Sequence, residues 1–429
     1  MDLLKEVNLI VWDEFPSNHR ELFEAVYKAL NCFENKVVVC FGDFRQIAPV
    51  VPNGTRMQIV QASIISSFLW NKFQVRHLTQ NLRLIGLSDT TRDTLLTDGE
   101  REFLENQKAY ADMITKIGEG RWKGSNYIAE NKAQGTQTIL LPNVTCITDQ
   151  RAAITFIYPN NFNTYNFAKR GILAGTNQEV DQWNTLIQAL NPQFDSKRQH
   201  LLSADVLAEV DDPHGFLQEL LTTETLNKFN KVGVPPDDLL LCPSDICIRI
   251  LSNLSKKDAI TNNTRVRIIS IPRFCIQVQT LGSNPKRAAI PRIKFKFRLP
   301  FGQSYQLRRT QFPLRLAYCM SFNKSQGQEM DSVLLDLRNP VFTHGHLYVA
   351  LSRVRDASKV AIFTNKDSLI TIGTEQTLPE VSNIVYPELL SNVHISTDSE
   401  YNSYETLDSL MNNISSDYVQ EQDENIFFI

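Results

Sequence analysis

The densest chemistry in the chain sits behind two short apolar runs. NLIVWDEFPS, residues 8–17, ends its apolar stretch in Asp13-Glu14, and VVVCFGDFRQ, residues 37–46, ends in Asp43, with Gln46 three residues on. Adjacent carboxylates at a strand end suit a hard divalent cation and an attacking water, as where a strand carries the magnesium carboxylates of a nucleotide hydrolase. Such a hydrolase also needs a phosphate cradle of the form G-x-x-x-x-G-K-[ST]. None of the seventeen glycines is followed by lysine, and the nearest look-alike, GEGRWKGS at residues 118–125, has its lysine before the glycine. A lone Asp-Glu behind a strand is also an ordinary polar strand end.

What would bring these groups together is a β-α-β unit. Residues 7–12 show no polar alternation and read as a strand buried on both faces. Asn18 with Glu21 resembles a capping box, and Leu22, Val26, Ala29 and Leu30 share one helical face. Asn35-Lys36 breaks that helix, and Val37 to Phe41 reads as a second buried strand. Strands joined through a helix run parallel, so their C-terminal ends share one edge. Asp13, Glu14, Asp43 and Gln46 then face one crevice, where open α/β sheets bind ligands.

Further on, a helical stretch spans about 88–116, and a looser segment runs to Asn143. GILAGT at 171–176 reads as a buried strand, followed by a helix with Asn177 as N-cap. Residues 190–245 look irregular, with a helix near 217–229. From Ile246 to Leu314 the pattern becomes short β-rich runs. In IKFKFRL, strict alternation puts Phe295 and Phe297 on a core face and Lys294, Lys296 and Arg298 on a cationic one. LRLAYCMSF, SVLLDL and KVAIFT return to buried α/β strands, and after about residue 375 the chain is polar and acidic, with no structure expected.

The 429 residues suggest two to three domains, and 42% hydrophobic with 21% charged residues describes a globular chain. The net charge of −3 hides an asymmetry. Arg249 to Arg315 holds fifteen Lys/Arg against one acid, Asp258, a local +14, while Asp367 onward holds twelve acids and no Lys or Arg. Such a basic block calls for a polyanion. No apolar run is long enough to cross a bilayer, so no membrane association is expected. Seven scattered cysteines without a C-x-x-C pair argue against zinc and disulfides and suit a reducing compartment.

The motifs also resemble a known family. LIVWDEFPSNHRELFEAVYKAL, VVVCFGDFRQIAPVVPNG, LTQNLRL, GILAGTNQEVDQWN and LRLAYCMSFNKSQGQEMDSVLLDLRNPVFTHGHLYVALSRVR occur in the order found in petite-integration-frequency type DNA helicases, in the form carried by Helitron transposons. The resemblance implies an α/β fold with two P-loop NTPase (RecA-like) domains and a small β-rich SH3-like insert in the second. The expected divisions are 1–145 for a first RecA-like domain, 146–245 with 311–375 for the second, 246–310 for the basic insert and 376–429 for a disordered acidic tail. The activity implied is ATP-dependent 5′–3′ unwinding of DNA, with ATP and Mg²⁺ as cofactors and single-stranded DNA as partner. Its settings are repair, recombination, telomere maintenance or transposition, in the nucleus, with mitochondrion or cytoplasm as alternatives.

Residue roles follow from the same resemblance. Asp13 is the magnesium-side acid, Glu14 the base for the attacking water and Gln46 the γ-phosphate sensor. Arg83 and Arg353 stabilise charge on the transferring phosphoryl group. Asp43, Gly327 and Gln328 belong to the nucleotide cleft, and Asn323, Lys324 and Ser325 link it to the single strand. Lys294 and Lys296, from the composition of the basic block, complete the DNA-binding set.

The departures from the family are also specific. The phosphate loop belongs upstream of Asp13, where this sequence has twelve residues, so the first domain is expected to be truncated and the chain inactive alone. The alternatives are a non-enzymatic transposon relic that binds nucleic acid, or a half completed by another chain. Ser321 and Glu329 stand where threonines are usual, and TNNTRV at 261–266 lacks a usual glycine. His344 and His346 hint at metal, but such a pair without partners is more simply structural.

Overall fold

The computed structural model describes residues 6–33, 36–78, 97–123, 127–159, 169–191, 193–208, 223–231, 233–249, 264–281, 284–299, 306–372, 376–391 and 427–428. The chain divides into two units. The first comprises Met1–Pro142, Pro340–Ala357 and Ser368–Ile429, and the second Asn143–Asn339 and Ser358–Asp367. Strand numbers below run along the chain.

The first unit is built on the expected β-α-β. Strand β1 (Leu9–Trp12) pairs in parallel with β2 (Val37–Cys40), Trp12 opposite Cys40, across the helix Arg20–Ala29. The sheet continues with the two-residue strands β23 (Phe427–Phe428) and β3 (Phe73–Gln74), in the order β1-β2-β23-β3. Phe15, Phe23, Phe33 and Phe73 pack together beneath it, with Phe15 and Phe23 edge to face at 4.9 Å. A second sheet in this unit is antiparallel: β21 (Leu369–Ile372), β22 (Gln376–Ile384), β5 (Thr136–Leu140) and β4 (Tyr127–Asn131).

The second unit carries five parallel strands in the order β18 (Cys319–Ser321), β7 (Arg170–Ala174), β19 (Ser332–Asp336), β20 (Val360–Phe363) and β6 (Thr145–Ile147). The helix Asn177–Ala189 buries Trp183, whose Nε1 donates to Asp336 at 2.7 Å. The β-rich block forms an antiparallel sheet of β14 (Arg287–Pro291), β13 (Cys275–Thr280), β12 (Arg265–Ser270), β11 (Ile246–Arg249) and β17 (Leu314–Leu316). A three-stranded sheet adds β15 (Ile293–Arg298), β16 (Gln306–Gln311) and β9 (Ala204–Ala208), and β8 (Gln199–Leu202) pairs with β10 (Asp238–Leu241).

Several expectations need correction. Residues 190–245 are not simply irregular, because β8, β9 and β10 lie there; β9 pairs with β16, so the β-rich block reaches outside 246–310. Pro340–Ala357, placed in the second domain by the resemblance, clusters with the first unit. Residues 376–391 are not tail but the nine-residue β22 and the helix Pro387–Ser391. Strand β1 is not buried on both faces: it is the edge of its sheet, and Val11 is 59% exposed. Two caps also shift by one residue. His19, not Asn18, holds the N-cap position of the first helix and makes no side-chain capping hydrogen bond, while the Asn18 amide donates back to the Glu14 carbonyl at 3.0 Å. Thr176, not Asn177, caps the helix after β7, in a reciprocal capping box with Glu179.

Candidate functional site

The loops that follow β1 and β2 are bound to each other. The Phe41 N–H donates to the Trp12 carbonyl and the Phe15 N–H to the Phe41 carbonyl, both at 2.8 Å. A Cβ on Gly42 would lie 2.0 Å from Cδ of Pro16, so the loops touch where only glycine fits. Asp13 is exposed and accepts the Glu14 N–H at 2.9 Å. Glu14 has φ 53° and ψ 37°, the left-handed region that a side chain enters at a cost of about 1–2 kcal/mol. Its carbonyl accepts from Ser17 Oγ at 2.8 Å and from the Asn18 amide, which pins that conformation.

Asp43 is held from both sides. Its Oδ1 accepts from the Arg45 backbone N–H at 3.0 Å and Nε at 2.9 Å, and its Oδ2 accepts from the Tyr348 hydroxyl at 2.7 Å. Burial works against the Arg45 charge, but Asp43 beside it raises the guanidinium pKa on balance. Burial, reinforced by Asp43, raises that of the Tyr348 phenol. The Gln46 side-chain oxygen is buried with no hydrogen-bond partner among the described residues.

The segment before Tyr348 locks this loop in place. His344 is fully buried, its Nδ1 accepting the Tyr386 N–H at 3.0 Å and its Nε2 meeting the Phe44 carbonyl at 2.8 Å. Those two hydrogen bonds require a neutral ring protonated at Nε2. Gly345, at φ 77°, passes so close to Gln46 that a Cβ would come within 2.4 Å of its carbonyl oxygen. Arg353 is buried beyond the end of the helix His346–Leu351 and donates from Nε to the Val349 carbonyl at 2.7 Å and from Nη2 to Ser352 Oγ. Arg353 and Asp43 belong to the same unit of the chain.

Asp13, Glu14, Asp43 and Gln46 thus stand at one sheet edge, as their spacing requires, while Arg83 lies outside the described residues. Tyr348 and Arg45 were not legible as site residues. The one available signal was the spacing of His344 and Tyr348 around Gly345, and the hydrogen bond to Asp43 spans 305 positions.

The remaining candidates fall in the second unit. Asn323, Lys324 and Ser325 lie on the short helix Phe322–Ser325 that follows β18, and Ser325 Oγ donates to the Phe322 carbonyl. Gly327 makes a left-handed turn at φ 73°, and Gln328 closes it by donating to the Lys324 carbonyl at 3.0 Å. Burial lowers the Lys324 pKa, and Arg315 lowers it further. On β15, Lys294, Lys296 and Arg298 are exposed and Phe295 and Phe297 buried, as alternation requires. Lys296 pairs directly with Arg308 of β16. Like charges opposite each other destabilise a sheet, and a bound polyanion relieves that repulsion. The cationic character is not uniform, however. Arg309 is fully buried against Asp205 at 2.7 Å, and Arg265 is buried against the carbonyls of Arg170 and Ala317.

The fold recurs in solved Pif1 helicase structures. A Pif1 helicase from Candida albicans superposes with a TM-score of 0.54 at 17% identity, covering 84% of this chain and 73% of that one. The Bacteroides Pif1 helicase in complex with ADP-AlF3 and single-stranded DNA gives 0.54 at 15%, covering 87% and 74%. The chain therefore shares the mixed α/β fold of these solved structures. Residues 1–127 match the model of the PIF1-like helicase family. The ATP-dependent DNA helicase Pif1 of Campylobacter jejuni is 22% identical over 381 residues, covering 85% of this chain and 71% of that protein. The human helicase PIF1 is 53% identical over 49 residues, 11% of this chain and 8% of that one. The N-terminal 127 residues are thus similar to PIF1-like helicases, and most of the chain is distantly similar to one bacterial Pif1.

Proposed function

We propose that the edge formed by Asp13, Glu14 and Asp43 is the hydrolytic edge of an ATP-dependent 5′–3′ DNA helicase. The observation that carries this reading is the parallel pairing of β1 and β2, which ends both strands beside each other with three carboxylates at the shared edge. Hard carboxylate oxygens on loops fit Mg²⁺, and the partnerless Gln46 oxygen fits a polar ligand reaching into the edge. The residues present fit the metal side of ATP better than the phosphate side, since the sequence contains no Gly-Lys-Ser/Thr loop.

In this reading Asp13 would hold Mg²⁺, which would supply charge neutralisation for phosphoryl transfer. Glu14, fixed in its left-handed turn, accepts a proton from the attacking water. Tyr348 and Arg45 hold the Asp43 carboxylate against the strand end. Arg353, and Arg83 by its motif, supply positive charge for the transferring group. The test is a fusion that places a family-type strand and phosphate loop ahead of Asn8. DNA-stimulated ATP hydrolysis is expected, with Glu14→Gln lowering turnover by ~10²–10⁴ and Arg353→Ala by roughly 10³. Folded fusion that turns over equally without Glu14 refutes the assignment.

A second reading is favoured by the Lys296–Arg308 pair on the β15–β16 face: a polypeptide that binds single-stranded nucleic acid without hydrolysis. It differs from the first in keeping its DNA affinity while no fusion restores turnover.

A further inference from the structure

Four consecutive residues, Asp43 to Gln46, are each gripped by a partner distant in sequence. The Tyr348 hydroxyl donates to Asp43 Oδ2 at 2.7 Å, and His344 Nε2 meets the Phe44 carbonyl at 2.8 Å. Glu119 lies 3.5 Å from Arg45 Nη1, and Gly345 abuts the Gln46 carbonyl. Tyr348 is the centre of this grip. The Arg45 guanidinium lies over its ring, 5.5 Å from the centroid, and a Cβ on Gly118 would come within 2.6 Å of its Cδ2. Tyr110, on the same helix as Gly118 (Asp98–Gly118), donates to the Leu351 carbonyl at 2.9 Å and ties that helix to the one carrying Tyr348. Burial, with Asp43 beside it, raises the phenol pKa and so keeps the hydroxyl protonated and donating.

Both Asp43 oxygens are thereby committed, Oδ1 to the Arg45 N–H and Nε and Oδ2 to Tyr348. Asp13 differs. It is exposed, its Oδ1 accepts the Glu14 N–H, and its Oδ2 has no partner among the described residues. The loops that carry the two carboxylates touch through Phe15 and Phe41 and through Gly42 and Pro16. Without the Tyr348 hydroxyl, Asp43 Oδ2 becomes a further hard oxygen at the edge. The number of such oxygens separates the hard cations. Ca²⁺ takes about 6–8 of them and gains affinity with ligand charge, whereas Mg²⁺ keeps several waters and uses about one or two carboxylates together with substrate phosphates. We propose that Tyr348 is a specificity-determining residue: by withholding Asp43 it keeps the edge poor in open carboxylates, which suits Mg²⁺ and disfavours Ca²⁺. A cation at Asp13 rests on the nucleotide reading above; the commitment of Asp43 to Tyr348 does not.

The test is titration of the 429-residue chain with Tb³⁺, a hard stand-in for Ca²⁺, read by luminescence sensitised through Trp12 beside Asp13. Competition with Ca²⁺ and Mg²⁺ then gives their affinities. Tyr348→Phe keeps the ring against Gly118 and Arg45 and removes only the hydroxyl. It is expected to tighten Tb³⁺ and Ca²⁺ by about tenfold while Mg²⁺ shifts less than about twofold, and adding Asp43→Asn is expected to abolish the gain. Damage to the fold weakens binding, so the sign of the change separates this role from a merely structural one. Unchanged Ca²⁺ affinity in Tyr348→Phe, a gain shared equally by Mg²⁺, or a gain that survives Asp43→Asn overturns the proposal. Absence of Trp12-sensitised binding in both proteins overturns it as well. A gain that needs Asp43 but persists in Asp13→Asn supports the withheld carboxylate and counts against the nucleotide reading.

Discussion

Gly42 and Gly345 each occupy a point where two backbone segments touch, one against Pro16 and the other against Gln46. Gly42→Ala is expected to destabilise the chain by about 1–3 kcal/mol through overpacking. Gly345→Ala adds a left-handed penalty of about 1–2 kcal/mol to a similar clash. Thermal unfolding of the two variants checks both the losses and their order. His344 makes a pH-dependent contribution at the same loop. Burial pushes its pKa down to about 4, and that of His346 likewise. A group whose folded pKa is depressed stabilises the fold fully above its unfolded pKa, near 6.5, and loses that contribution as pH falls toward 4. Each tenfold change in proton affinity is worth about 1.4 kcal/mol, so the loss for His344 is on the order of 3 kcal/mol at pH 4. Urea midpoints measured from pH 7 to 4 are expected to fall in the wild type and to fall less steeply in His344→Asn.

At the scale of elements, β15 shows how one alternating strand presents two different faces. Its inward residues Phe295 and Phe297 belong to a core, and its outward residues are free to meet a polyanion. Lys294→Ala with Lys296→Ala is expected to flatten the salt dependence of single-stranded DNA binding, by a slope of about 0.7 for each phosphate no longer neutralised. Titrations from low to high salt read this directly, and an unchanged slope places the interface elsewhere. The neighbouring strand holds the opposite case. Arg309 and Asp205 are both fully buried, so Asp205→Asn leaves a buried cation poorly compensated and is expected to cost about 3–5 kcal/mol in chemical unfolding. Composition counts all arginines and lysines of the block alike, whereas burial separates the structural ones from those that face water.

For the whole molecule, the proposed helicase chemistry is expected to be silent in the 429-residue polypeptide by itself. Carboxylates and arginines position charge around a phosphoryl group, but the backbone amides and lysine of a phosphate loop fix that group in place, and the sequence has no such loop. Purified chain with Mg²⁺, ATP and single-stranded DNA is expected to release no phosphate above buffer. Steady turnover that Glu14→Gln abolishes would reverse that expectation and relocate the phosphate site.

Local pattern determined a good deal of this protein. The apolar runs at 9–12 and 37–40, with a helix between them, required parallel strands, and parallel strands required Asp13, Glu14, Asp43 and Gln46 to share an edge. Alternation in IKFKFR fixed which residues face the core, because side chains in a strand point to opposite sides in turn. What tertiary structure alone decided was every partnership across long stretches of chain. Nothing near Asp43 announces Tyr348, nothing near β16 announces β9, and nothing near β2 announces Phe427–Phe428. The reach of local pattern is a helical turn or a pleat, whereas these pairings arise only when distant segments compete to satisfy the same buried backbone groups and charges.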